Sequence, residues 1–481
     1  MKTPSVAAFC LAVFLGGCAA VGPDYQRPAL EAPSQWGESN AKAGIAPALE
    51  KTAWWQAFGD PLLNRLVAQA AKSNLDLEQA RARIKQARAA LVLAGAPGLP
   101  VVNAGGTVTR SAGSENLVSA GSSPSTVYQA GFDARWEADV FGGVRRSTEG
   151  ARARLDASVE DLHATLLTLL GDVTKNYVDL CANQAQLQIT HRNLEIQQET
   201  VVVTRKRYQL GLTTSLDVAQ AEAQQATTEA NIPTLEAASK QSIHRLGILL
   251  AQEPNALTTE LSATRPLPKV EGLIVTGLPA ELLSRRPDLR QAERQLAAAS
   301  ADIGVATAGL YPTFDLTLGL GLQANSAAKF METSSRYWSI VPGVTLPLFD
   351  GGKARANIAG KQAVFEESLA RYRAAYNSAL EDVENALTAF YAERARHRLL
   401  VESVRSNEEA VATASERYRR GLTTFLDVLT SQQALYSAQR SLSQSDANQL
   451  TDLISLYKAL GGGWNLPGEP ADSIKGLGAR L

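Results

Sequence analysis

An apolar residue recurs every seven positions, without a miss, from Val159 through Leu166, Val173, Leu180, Leu187, Leu194 and Val201 to Tyr208. The series returns as Leu369, Tyr376, Val383, Phe390, His397, Val404, Val411 and Tyr418, broken only at His397. A seven-residue period held this long specifies a supercoiled helix packed along its whole length. No Pro or Gly interrupts Asp172–Leu210, and the pattern predicts a helix starting near Val144. Roughly 65 residues at ~1.5 Å rise give a rod on the order of 100 Å, far beyond the need of a globular domain.

Each rod ends in nearly the same twelve residues. "RYQLGLTTSLDV" occupies 207–218 and "RYRRGLTTFLDV" occupies 417–428. Gly211 and Gly421 suit the left-handed position that closes a helix, and the following Thr residues suit the N-cap of a returning one. Both copies therefore read as tips of helical hairpins. The repeat extends further, because "NLDLEQARARIKQARAALVLAGAPGLP" (74–100) returns as "PDLRQAERQLAAASADIGVATAGLYP" (287–312), and "FGG" (141–143) returns as "FDGG" (349–352). The chain is two homologous halves of one architectural unit, a period far longer than that of solenoids.

Ahead of each rod the period changes to two. In 126–139, Tyr128, Ala130, Phe132, Ala134, Trp136 and Ala138 share one face; Gln129, Gly131, Asp133, Arg135 and Glu137 share the other. In 313–323, Phe314, Leu316, Leu318, Leu320 and Leu322 oppose Thr313, Asp315, Thr317 and Gln323. Segments 101–111 and 337–349 are weaker versions. Segments of about ten residues, apolar on one face and polar on the other, suit a transmembrane β-barrel. A soluble hairpin packed on one face is the plainer alternative. Bilayer-spanning barrels need at least about eight strands, and this chain supplies four. An open edge in lipid leaves backbone groups unpaired at several kcal/mol each, so the barrel must be shared between chains.

The N-terminus carries its own address. Lys2, an apolar run from Val6 to Leu15 and the small residues before Cys18 make residues 1–17 an export signal. "LGGC" (15–18) resembles a lipoprotein processing box that leaves Cys18 lipidated, and Ala19 after it implies passage to the outer membrane. Cys181 is then the one remaining thiol, which excludes an internal disulfide.

Composition excludes other classes. A net charge of −1 advertises no nucleic-acid surface. After the signal no apolar run reaches the ~18 residues of a membrane-spanning helix. The four His residues (163, 191, 244 and 397) are scattered. No Gly-rich loop ends in Lys-Ser or Lys-Thr. Neither catalytic residues, nor a cofactor, nor a metal site is expected, and the chain reads as a non-enzyme.

Together, "CAAVGPDYQRP" (18–28), "WWQAFGDPLLNRLV" (54–67), "GLPAELLSRRPDLRQAE" (277–293), both tips and "LYKALGGGW" (456–464) closely resemble the outer-membrane factors of tripartite efflux systems. This is the TolC-like family, in its NodT-like lipoprotein branch. The resemblance implies a membrane α+β fold. A homotrimer would share a twelve-stranded transmembrane β-barrel, continued by a twelve-helix periplasmic α-barrel. It implies a periplasmic adaptor (membrane fusion protein), an inner-membrane efflux transporter and outer-membrane lipid as partners, with no nucleic acid. The function implied is an exit duct that passively conducts small amphiphilic drugs or toxic compounds. The alternatives are a lipid-anchored coiled-coil scaffold without a pore, or an exit duct for secreted protein.

The expected organisation runs from the signal (1–17) through a lipid-anchored segment (18–60) to a first repeat (61–272). That repeat carries strands 101–111 and 126–140 and tip 207–218. A second repeat (273–464) carries strands 313–323 and 337–349 and tip 417–428, followed by a tail (465–481). The Pro/Gly-rich segment 266–279 joins the halves, and in the family such a segment belts the tunnel. "RRPD" reads as Pro287 ending a loop and Asp288 capping the next helix, with Arg286 structural.

The resemblance also implies a periplasmic gate. Asp427 falls at a ring aspartate and Leu426 at the apolar ring beside it. Thr430 stands where many relatives carry a second Asp, and Thr423 where some carry a linking Arg. Tyr418 and Asp217 match a hydrogen-bonded pair between hairpins. The plainer reading of Asp217 and Asp427 is that of first-turn carboxylates at helix N-termini.

Overall fold

The computed structural model describes residues 20–31, 33, 36–37, 53–114, 124–268 and 285–462. The signal, Cys18, most of the joining segment and the tail 465–481 lie outside the described residues. Helices α1 (Pro61–Ser73) and α2 (Leu75–Gly95) precede β1 (Val101–Ser111) and β2 (Ser125–Ala138). The 67-residue α3 (Gly143–Gln209), then α4 (Ser215–Glu229) and α5 (Asn231–Leu249), complete the first half. The second half holds α6 (Pro287–Ala308), β3 (Thr313–Ala324), β4 (Arg336–Thr345), α7 (Lys353–Arg419, also 67 residues) and α8 (Phe425–Ala459). One departure from the repeat is local: α8 returns unbroken, whereas its counterpart is split at Ala230 into α4 and α5. Pro233 supplies the reason, since it has no N–H to continue the helical ladder across the junction.

The chain divides into two compact units. The first contains a single four-stranded sheet of order β1-β2-β3-β4, antiparallel throughout. Its register sorts the side chains by face. Ala104 lies opposite Phe132, Phe132 opposite Leu320, and Leu320 opposite Trp338, forming one apolar row across all four strands. On the other face Glu137 lies opposite Asp315, and Arg135 opposite Thr317. The apolar face is bare: Trp338 is 77% and Leu320 58% exposed.

Two strand ends fall short of the sequence-based bounds by more than one residue. β2 stops at Ala138 rather than 140, because the Asp139 carboxylate turns to accept from Val144 N (3.0 Å) and Arg145 N (2.9 Å) at the start of α3. β4 stops at Thr345 rather than 349; Pro347 cannot donate to a ladder, and Leu348 and Phe349 are each 91% exposed.

The second unit has a continuous apolar core in which Leu63, Leu66, Leu170, Val173, Tyr177, Leu246, Leu450 and Leu453 are buried together. Those residues come from α1, α3, α5 and α8. The α3 positions Leu166, Val173, Leu180 and Leu194 of the seven-residue series are all buried. His397, the one break in that series, places Nε2 2.8 Å from Asp446 Oδ1. Asp60 caps α1 through Leu62 N (2.8 Å) and also accepts from Tyr177 Oη (2.5 Å). Burial, then that bond, pushes the Tyr177 hydroxyl well above the usual range.

Arg286 joins the last helix to the second repeat. Its guanidinium bonds Asp288, Asp382 Oδ2 (2.9 Å) and the Ala459 carbonyl (3.2 Å) in the final turn of α8. A cation there complements the helix dipole.

Burial pushes the Cys181 thiol up to about 11, so little reactive thiolate exists at neutral pH. Cys181 in the folded protein should resist maleimide at pH 7.5 and react fully in denaturant, as read by peptide mapping; rapid native labelling would show that this core is open.

Candidate functional site

The twelve-residue repeat folds the same way twice, for reasons written in its residues. Gly211 (φ 70°) and Gly421 (φ 71°) take the left-handed conformation. In the first copy Leu212 N donates to Arg207 O (2.8 Å) and Gly211 N to Tyr208 O (2.9 Å). In the second, Leu422 N donates to Arg417 O (2.9 Å) and Gly421 N to Tyr418 O (3.0 Å). This paired closure satisfies the last carbonyls of each long helix. The returning helix starts within three residues. Asp217 Oδ2 accepts from Thr214 N (3.0 Å), Thr214 Oγ1 (2.9 Å) and Thr213 Oγ1, while Asp217 N donates to Thr214 Oγ1 (3.3 Å). Asp427 Oδ2 likewise accepts from Thr423 Oγ1 (2.5 Å), Thr424 Oγ1 (2.8 Å) and Thr424 N (3.1 Å).

These bonds set the charges. Hydrogen bonds from Thr423 and Thr424 hold the Asp427 carboxyl below the usual carboxylate range. Burial pushes Asp217 up, but the donors from Thr213 and Thr214 outweigh it and leave that carboxyl low as well. Both tips therefore present ionised carboxylates at neutral pH.

The two tips touch through a small apolar cluster, in which Val201 and Ala221 of the first hairpin meet Tyr418, Phe425, Val428 and Leu429 of the second. Polar contacts flank it: Gln432 Nε2 donates to Thr200 Oγ1 (3.1 Å), and Gln433 Nε2 to Gln224 Oε1 (2.6 Å). Leu426 stands outside the cluster, 55% exposed beside Asp427. Thr430 Oγ1 turns back to the Leu426 carbonyl (2.9 Å), and the Thr423 hydroxyl is committed to Asp427. The Tyr418–Asp217 hydrogen bond implied by resemblance is not made within this chain. Asp217 Oδ2 is occupied in its own turn, and the buried Tyr418 Oη has no hydrogen-bond partner among the described residues. The ring of Tyr418 is instead covered by Arg207, whose Cζ lies 4.5 Å from its centroid. Sequence reasoning had passed over Arg207; its one signal was its place as first residue of the repeat.

The polar face of the sheet is laced by contacts between strands. Arg135 Nη2 reaches Asp315 Oδ1 (3.3 Å), Asn103 Nδ2 reaches Asp133 Oδ2 (3.0 Å), and Gln129 Nε2 reaches Tyr337 Oη (2.9 Å). Also in the first unit, the segment after Ala19 is held down by Arg146, which sequence reasoning also missed. This guanidinium donates to Val21 O (3.1 Å), Gly22 O (3.3 Å), Ala20 O (3.4 Å) and Asp24 Oδ1 (2.6 Å). Its side chain is 6% exposed, so the contact is built into the fold.

Known proteins share this fold. Residues 66–252 and 278–462 match the family described as outer membrane efflux protein. The chain is 36% identical to the pyoverdine export outer membrane protein OpmQ of Pseudomonas putida, over 90% of this chain and 92% of that one. It is 33% identical to nodulation protein T of Rhizobium leguminosarum bv. viciae, over 97% and 95%. The solved outer-membrane channel OprN is 34% identical and superposes with a TM-score of 0.89, over 92% of this chain and 99% of that one. The chain belongs to the outer membrane efflux protein family.

Proposed function

We propose that three copies of this outer-membrane protein form the exit duct of an efflux system. The carrying observation is a four-stranded sheet, apolar on one face and polar on the other, in which β1 and β4 each have one neighbour. In lipid both edges need partners. Three four-stranded sheets joined edge to edge supply them and make a barrel of twelve strands. The long helices then continue the wall as a periplasmic tunnel. The mixed Arg135, Asp315, Asp133 and Asn103 face lines a wet, weakly selective passage.

The tips form the periplasmic end. Threefold symmetry brings Leu426 and Asp427 of each chain to one axis, giving an apolar ring beside an acidic one. The turn's hydroxyl and amide donors keep Asp427 ionised, as a cation-binding ring requires. Thr430, bonded to its own backbone, adds no second acidic ring. The partners are a periplasmic adaptor and an inner-membrane transporter, and the chemistry belongs to them: this chain conducts and does not catalyse. The cargo is small and amphiphilic, consistent with a relative named for pyoverdine export. Cys18 carries the acyl anchor, with Arg146 fixing the segment that follows it.

Protein purified in detergent should scatter light at about three times the mass of one chain, and should conduct in a planar bilayer. A stable monomer, or an intact trimer without conductance, would return the chain to a pore-free scaffold. Conductance with passage of a folded protein, but not of small dyes, would favour secretion.

Cys18→Ser should abolish lipid labelling while trimers still reach the outer membrane, because the strands span it independently. Complete loss of membrane association would mean that the strands do not insert.

Asp427→Ala should weaken block by divalent cations added on the periplasmic side, with conductance otherwise retained. Unchanged block in intact trimers would reduce Asp427 to its capping role.

A further inference from the structure

We propose that Arg110 of one copy and Arg336 of the next, brought together where β1 meets β4 at each seam of the barrel, bind the phosphate of a lipid headgroup at the outer rim. This rests on the duct reading above. The face that carries Val102, Phe132, Leu320 and Ile340 is apolar along all four strands, with two exceptions. Only Arg110 and Arg336 on it are charged. Both lie at the end of the sheet away from the helices, one on each edge strand. Both are exposed, and neither has an ion-pair partner among the described residues.

Their depth fits a headgroup. Arg110 is nine residues beyond Val101, the first of β1, and Arg336 nine before Thr345, the last of β4. At ~3.4 Å per residue and a tilt of ~40°, both stand about 23 Å from the inner ends, close to the ~25 Å height of a barrel's apolar band. A guanidinium at that level meets headgroup phosphates while its aliphatic stem stays on the apolar face.

The duplication supplies the register across the seam. β3 corresponds to β1, matching Pro312 to Pro100, and β2 corresponds to β4, matching Phe141 to Phe349. Within the chain, β2 pairs with β3 so that Ala130 lies opposite Leu322. Transferred to the seam, that pair becomes Trp338 of one copy opposite Arg110 of the next. Arg336 then lies diagonal to Arg110 on the same face, at the ~7–8 Å of such neighbours. Two cations held that close repel unless an anion lies between them, and a phosphate accepts from both planar guanidinium forks. Val108, Leu320 and Trp338, one step nearer the helices, continue the site into the apolar face. The occupant is therefore a phosphate carried on acyl chains, not a free ion.

The test is native mass spectrometry of the full-length protein, first shown by light scattering to be a trimer and then stripped of lipid in neutral detergent. It is titrated with dioleoyl phosphatidic acid, with dioleoylglycerol, which has the same chains and no phosphate, and with inorganic phosphate. The trimer should take up phosphatidic acid at least about tenfold more tightly than dioleoylglycerol, as charge-assisted hydrogen bonds require. Arg110→Gln and Arg336→Gln should each lose most of that preference, and Arg110→Lys should keep part of it. Inorganic phosphate should not displace the lipid. Equal uptake of the two lipids by an intact trimer overturns the site and leaves the duct standing. An unchanged preference in either Gln variant does the same. Displacement by inorganic phosphate alone overturns the lipid in favour of a free anion. A stable monomer removes the seam and the duct together.

Discussion

Backbone hydrogen bonding in lipid is the constraint on which the rest of the structure depends. A sheet of four strands has two edges, and hydrocarbon offers no water to satisfy them. A soluble protein would blunt such edges with charge, proline or a covering helix. This chain leaves β1 and β4 open and clothes one face with Phe132, Leu320 and Trp338 instead. A fold that cannot close by itself must be completed by further copies, and a shared barrel follows from that deficit.

Duplication explains how the same chain builds its helical part. Each half adds two strands and one long helical hairpin, so three chains contribute twelve strands and six hairpins. The two tips are alike in closure but packed differently. Both use the same closure, a left-handed glycine followed by threonines and a capping aspartate. Their surroundings differ: Phe425 stands where the first copy has Ser215, and the phenylalanine helps to bury Tyr418. The proposed gate needs such asymmetry, because two identical hairpins would give no preferred inner and outer member.

Much of this was legible in the sequence because it is periodic. The seven-residue series announced two helices of great length, and the alternation in 126–138 and 313–323 announced two strands with distinguishable faces. β1, with Gly105 and Gly106 where side chains would mark the period, and β4, with Pro342 and Gly343, carried weaker signals. The overrun of β4 arose from the same habit, since "LPLF" keeps an alternating look while Pro347 removes the donor. What no period could show were single contacts between residues far apart in the chain. Arg146 reaches back to Ala20–Asp24, Arg286 reaches forward to Ala459, and Arg207 crosses to Tyr418. Each is an arginine whose partner is a carbonyl, a carboxylate or a ring that many positions could have offered. The proposed gate residues lay between these cases: Asp217 and Asp427 were visible as helix caps, but the commitment of each Oδ2 to neighbouring threonines was not.

The central claim, that the sheet is one third of a closed barrel, is tested most directly by amide hydrogen exchange on the trimer in detergent or lipid. Amides of β1 and β4 should be as slow as those of β2 and β3, because every edge group is paired with a neighbouring copy. Fast exchange along the outward edges of β1 and β4, beside a protected β2–β3 centre, would contradict it.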